Sequence, residues 1–222
     1  WIESRSKSKI HVTVMRTTGI MESVLYEKVQ GILDNYPQIS VAFLPRFTGV
    51  DIRLTTSDKN TLNRLVDQIS PVIQKYHFGG EGVELEDVVG RLLIKNRKTI
   101  ATAESCTGGL IGDRLTNISG SSLYYKGGIV AYSNSVKEKT IGVKKETLDS
   151  AGSVSEETAL EMARGIRNKL NADIGLSTTG IAGPKGGTKE KPVGLVYIAI
   201  SYDSGEKVYR FTFTPHRRTN KL

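Results

Sequence analysis

One cysteine, Cys106, occurs in 222 residues. A single thiol excludes an internal disulfide framework and suits a reducing compartment, so a cytoplasmic location is expected. Histidine is nearly as scarce, with His11, His77 and His216 far apart in the sequence. No cluster of His, Cys, Asp and Glu has the spacing of metal ligands, so no metal site is expected. No run of about 18 apolar residues occurs, which excludes a transmembrane helix and leaves no membrane partner to expect. The opening stretch WIESRSKSKI has neither an apolar signal core nor an initiator Met, and the natural N-terminus is therefore expected upstream of it.

What is present is an ordinary globular composition, 38% hydrophobic and 24% charged, in a chain long enough for one large domain or two modest ones. The net charge of +8 raises a nucleic-acid partner as a possibility. Its distribution weakens that reading. Residues 1–82 carry 10 basic against 8 acidic groups, whereas residues 185–222 alone carry 8 against 3. A cationic patch near the C-terminal end serves a small phosphorylated ligand as well as a polynucleotide, or is simply a solvated surface.

Residues 1–82 read as a small α+β module. Strand-like alternation over Lys9–Met15 is followed by helical spacing over Ile20–Leu33, two strands over Gln38–Leu44 and Val50–Thr55, and a helix from a Ser57 or Asp58 cap through Tyr76. The glycines of His77–Gly82, HFGGEG, read as an inter-domain hinge. The same stretch contains the G-x-x-G of a KH nucleic-acid clamp, but no lysine or arginine stands within it. From residue 83 to 222 strands and helices alternate, which predicts a layered α/β domain with its working loops at strand ends. Helices are expected over Leu85–Lys95, Leu110–Thr116, Val136–Ile141 and from Ser155 to Leu170. Strands are expected over Thr99–Ala103, Gly127–Tyr132 and Ile174–Thr179, with a terminal hairpin turned at Asp203-Ser204-Gly205.

Four stretches could carry chemistry. TIATAESCTGGL, Thr99–Leu110, runs from a β-prone segment into Glu104, Ser105, Cys106 and Thr107 and then Gly108 and Gly109. Ser105 is the natural nucleophile, with the backbone amides near Gly108 available for an oxyanion. Cys106 is a second nucleophile candidate or a buried structural thiol. Serine needs a base, and the scattered histidines give a Ser-His-Asp triad little support. YSNSVK, Tyr132–Lys137, supplies a lysine whose amine, once desolvated, accepts a proton near neutral pH. Spacing alone leaves Lys137 a surface residue, a base for Ser105, or one half of a dyad with Ser133, which also reads as a helix cap. The glycine-rich stretch Ser177–Gly194 is either a ligand-wrapping loop or a flexible hairpin, and its Lys185, Lys189 and Lys191 are candidate phosphate contacts. In the tail TPHRRTNKL, Arg217 and Arg218 could clamp a phosphate or carboxylate.

Together these motifs resemble the CinA family. TAESCTGG, GSS at Gly120–Ser122, YSN followed by Lys137, GSVSEE at Gly152–Glu157, TTGIAGPKGG and EKPVGLVY stand in the family's order. RTTGIMES, Arg16–Ser23, is similar to a stretch of the family's KH-like middle module, and the family's longer members also carry an N-terminal molybdopterin-binding-like domain, absent here. The resemblance implies a three-layer α/β/α sandwich over 83–222 behind a KH-like α+β module over 1–82. A homo-oligomer, a dimer, is expected. The activity implied is hydrolysis of the carboxamide of nicotinamide mononucleotide to nicotinic acid mononucleotide and ammonia, without metal or cofactor. Nucleic-acid binding or nucleotide sensing without catalysis is the competing class. Carried over by position, Ser105 is the nucleophile, Lys137 the base and Tyr132 an aid to proton transfer. Glu104, Thr107, Gly108, Gly109, Ser122, Thr179, Gly180 and Arg217 are the substrate-binding positions. The family's second basic tail position, usually arginine, is Lys221 here, and the sequence stops where the family continues into a last helix.

Overall fold

The computed structural model describes residues 9–221. Residues 1–8, which hold most of the stretch read above for targeting, and residue 222 lie outside them. The chain forms two compact units, Trp1–Val88 and Val89–Leu222. No helix among the described residues is long and apolar enough to cross a membrane.

The first unit runs β1 (His11–Thr17), α1 (Glu22–Leu33), β2 (Ser40–Arg46), β3 (Gly49–Thr56), α2 (Lys59–Ile73) and β4 (His77–Gly79). Its sheet has the order β2-β3-β1-β4 with every pairing antiparallel. Both helices press an apolar stripe onto that sheet, and Leu25, Val29, Ile52, Leu54, Leu65 and Ile69 are fully buried. Asp58 caps α2 by accepting the Asn60 amide at 2.9 Å, as its position before the apolar repeat predicts. The hinge expected at His77–Gly82 is corrected in its first half. His77–Gly79 is an edge strand that pairs with β1 through Arg16↔Gly79 and Thr17↔His77. A Cβ on Gly79 would come within 2.7 Å of Val83 Cγ1, so this glycine serves close packing rather than a loose joint.

After α3 (Leu85–Lys95), the second unit runs β5 (Ile100–Glu104), α4 (Leu110–Thr116), β6 (Tyr125–Val130), α5 (Asn134–Ile141), α6 (Lys145–Ser150), α7 (Glu156–Lys169), β7 (Ile174–Gly180), β8 (Leu195–Tyr202) and β9 (Gly205–Thr212). Single 3-10 turns stand at Ser121–Leu123 and Thr219–Lys221. The sheet order is β6-β5-β7-β8-β9; β5 lies parallel to β6 and β7, and β8 and β9 continue antiparallel. Side chains alternate across the sheet, so each strand feeds two cores. Ile100 packs with Leu93 of α3 and Leu115 of α4. Ala101 and Ala103 pack with Ile141 of α5, Leu148 of α6 and Met162 and Ile166 of α7 on the other face. The result is the expected α/β/α sandwich.

Two details fix the strands that carry the site. Asp173, just before β7, accepts the Thr99 amide and hydroxyl, each at 2.8 Å, and Lys98 Nζ at 3.1 Å. The Thr99 donors, with Lys98 adding to them, hold its carboxyl down at about 2. Because β5 lies between β6 and β7, the chain leaves its C-terminal end at a switch point, where open α/β sheets place their working groups.

Candidate active site

The turn after β5 is built around a buried carboxylate. Glu104, 2% exposed, accepts the Gly109 amide at 2.9 Å and the Ile111 amide at 3.1 Å on one oxygen, and the Gly112 amide at 2.8 Å on the other. These are the orphan donors at the start of α4. Gly108 and Gly109 have φ of +65° and +97°, a left-handed path that a side chain would strain. Glu104 is therefore corrected from a substrate-binding residue to the cap that holds the turn. The Gly109 amide is spent on that cap, and the Gly108 amide donates to Ser105 O at 3.2 Å. Of the amides expected near Gly108 for an oxyanion, this leaves that of Thr107; among the described residues it and the Cys106 amide have no backbone acceptor.

Ser105 is buried, and its amide donates to Thr178 O at 3.0 Å. Lys137, 1% exposed, reaches it from the first turns of α5 with Nζ 3.1 Å from Ser105 Oγ. Nζ also donates to Ala131 O at 2.6 Å and to Tyr132 O at 3.4 Å. The surface reading of Lys137 is thus overturned. Ser133 is the cap of α5, accepting the Val136 amide at 3.3 Å; Lys137 turns to Ser105 instead of forming a dyad with it. Burial pushes the Lys137 amine below its ordinary value, opposed by its neighbour Cys106. Burial pushes the Cys106 thiol up, and this residue packs with Ala182 and Val196 as a small hydrophobe.

The remaining expected positions divide. Thr107 Oγ1 lies 2.8 Å from Thr178 Oγ1, across the β5–β7 strand ends. Tyr132 meets Lys137 through its carbonyl, not its phenol. Its hydroxyl accepts from Arg217 Nη2 at 2.9 Å. Arg217 Nη1 also donates to Gly183 O at 3.1 Å, so this arginine bridges the end of β6 and the glycine-rich loop. Thr179 spends its hydroxyl on Ser153 O at 2.5 Å. At Gly180 a Cβ would come within 2.6 Å of Leu195 O, which makes that glycine a strand-packing requirement. Ser122 is exposed in the turn before β6. That turn leads into the N-terminal end of a strand parallel to β5, while Ser105 follows the C-terminal end, so the fold does not bring the two together. In the loop, Lys191 is withdrawn from phosphate duty because Nζ donates to Ala151 O at 2.6 Å.

Asn220 is not among the expected site residues. It is buried, and it donates to Ala182 O at 3.0 Å and Thr214 O at 2.6 Å. Nothing in a basic, aperiodic tail marks it out. Beside it, Lys221 places Nζ 3.5 Å from where a Cβ on Gly108 would stand. Metal-ligand clusters are absent among the described residues.

Fold and site define an α/β/α domain with a buried serine–lysine pair at its strand ends, in one chain with a four-stranded α+β module. Residues 83–222 match the CinA C-terminal domain, and residues 12–79 match the damage-inducible protein CinA KH domain. A competence-damage inducible protein of Halothermothrix orenii is 44% identical over 100% of this chain and 55% of its own length. A CinA-like protein of Chloroherpeton thalassium is 45% identical over 90% of the chain and 50% of its own length. Two crystal structures share the fold. The competence/damage inducible protein CihA of Agrobacterium tumefaciens is 40% identical with a TM-score of 0.57, covering 60% of this chain and 84% of its own. A CinA superfamily protein of Escherichia coli is 30% identical with a TM-score of 0.59, covering 62% and 82%. The chain belongs to the CinA family. It spans about half the length of the two relatives compared by sequence.

Proposed function

We propose that this chain is an amidase that hydrolyses the carboxamide of nicotinamide mononucleotide to nicotinic acid mononucleotide and ammonia. The observation that carries the reading is the 3.1 Å separation of Lys137 Nζ and Ser105 Oγ within a buried site. The two carbonyls on Nζ can only accept. A neutral amine has two hydrogens, which those carbonyls take, and its lone pair is left for the serine hydroxyl. Burial favours that neutral form.

Lys137 takes the hydroxyl proton as Ser105 Oγ bonds to the carboxamide carbon. The oxyanion rests on the Cys106 and Thr107 amides. The Lys137 ammonium then gives its proton to the amide nitrogen as the C–N bond breaks, and ammonia leaves. Water, deprotonated by Lys137, attacks the Ser105 ester; the C–Oγ bond breaks as Lys137 returns that proton to Ser105 Oγ, and the carboxylate product leaves. Arg217 and Lys221 are the cations for the substrate phosphate.

The test is ammonia release from nicotinamide mononucleotide. The parent protein turns over, and Ser105→Ala loses about 10³-fold or more in kcat. Unchanged turnover in Ser105→Ala would sink the nucleophile assignment. A parent protein that binds the nucleotide, or nucleic acid, without releasing ammonia would favour the sensing or binding class.

A further inference from the structure

The cationic tail is held by more than its charged side chains. Its residues 214–221 fold around one neutral side chain, Asn220, which is 6% exposed. Asn220 Nδ2 donates to Ala182 O in the glycine-rich loop and to Thr214 O at the root of the tail. Asn220 Oδ1 accepts from Thr214 Oγ1 at 3.3 Å, and the Asn220 amide donates to His216 O at 3.0 Å. On one side of this clasp Arg217 reaches the Tyr132 hydroxyl and Gly183 O. On the other, Lys221 reaches the Gly108 turn beside Ser105. Arg217 is exposed, and a free arginine side chain has large rotamer entropy to lose on binding.

We infer that Asn220 is a positioning residue that locks Arg217 and Lys221 as a preorganised pair for the substrate's phosphate. The inference rests on the amidase reading for its substrate. Asn220 touches neither the Ser105–Lys137 pair nor the reacting carbonyl, so it governs how the nucleotide is held and not the proton transfers. Removing the amide donors releases both cations at once.

The variants are Asn220→Ala and the near-isosteric Asn220→Asp, which keeps the shape and loses both donors. Each is expected to raise KM for nicotinamide mononucleotide about tenfold, the scale of charge-assisted hydrogen bonds that must be reordered on binding, with kcat close to the parent's. For nicotinamide riboside, which lacks the phosphate, KM is expected to stay unchanged. Arg217→Ala added to Asn220→Ala is expected to raise KM for the nucleotide further, since a released guanidinium still meets the phosphate and an alanine does not. Amide hydrogen exchange over residues 214–221 is expected to accelerate in both variants. A fall in kcat, an equal KM shift for nucleotide and nucleoside, or a parent-like Asn220→Asp would overturn the assignment. If the parent shows no amidase turnover, the amidase reading fails by itself. Hydrogen exchange then still decides whether Asn220 is the clasp, and unchanged protection of the tail refutes it.

Discussion

Lys137 bears an electrostatic cost, because it is buried to 1% exposure. An ammonium enclosed this deeply has lost its water and meets no carboxylate among its bonded partners, only two carbonyls and a hydroxyl. The neutral amine removes that cost, so on the amidase reading the same burial that disfavours the charge prepares the base. Activity is expected to rise with pH along a limb that lies below the ordinary lysine value of 10.5, and kcat/KM measured against pH reads it. The sign for stability follows from the same shift. The folded state releases this proton at lower pH than the unfolded chain, so stability climbs with pH from the lowered folded value up to 10.5 and is lost on acidification through that window. Lys137→Met is expected to abolish turnover and to flatten that part of the Tm–pH curve. A parent-like slope in the variant would remove Lys137 from the account. Ser105 and Lys137 were both legible as candidates, because hydroxyl and amine types at strand ends are informative. Their meeting was not legible, since α5 had to be docked before Lys137 could be seen to turn inward.

At the scale of elements, α4 is a short helix held by one side chain from the strand before it. Glu104 satisfies three amides that α4 cannot satisfy internally. Glu104→Gln presents an amide NH₂ to donors that need an acceptor, at a cost of about 1–3 kcal/mol. For a chain of this size that predicts a Tm lower by several degrees, together with slower turnover from a displaced Ser105. A variant with parent-like Tm by thermal melting would show that the cap is dispensable. Several elements could be read from pattern. Leu85–Lys95 and Leu110–Thr116 have the bounds their periodicity predicts, and Asp58 and Ser155 are caps as expected. Two elements escaped. The six residues of α6 are too few to display a helical period, and β4 hid behind glycines that also describe a hinge. Glu104 was misread for a related reason. A carboxylate beside a serine is equally plausible as a ligand group or a cap, and only the positions of the α4 amides separate the two.

In the whole molecule, the apolar side chains gather into separate cores. Leu65, Ile69 and their neighbours fill the first unit, and Met162 and Ile166 belong to the second. Separate cores in two compact units predict thermal unfolding that is not two-state, with a van't Hoff enthalpy below the calorimetric one. Leu65→Ala, at about 2–5 kcal/mol for a buried leucine, is expected to move one transition and leave the other, by differential scanning calorimetry. A single transition that shifts as a whole would refute this independence. The sequence by itself determined the succession of strands and helices, the excess of cation near the C-terminal end and the reactive residue types at the end of β5. All of these depend on neighbours a few positions away, where periodicity and turn chemistry act. Tertiary structure alone decided that Lys137 is buried against Ser105, that Ser122 stands before the N-terminal end of β6, away from the strand ends of Ser105, and that Asn220 bonds Ala182 and Thr214. Those outcomes depend on sheet order and helix docking, which join residues tens of positions apart by burial and hydrogen bonding and leave no periodic trace in the chain.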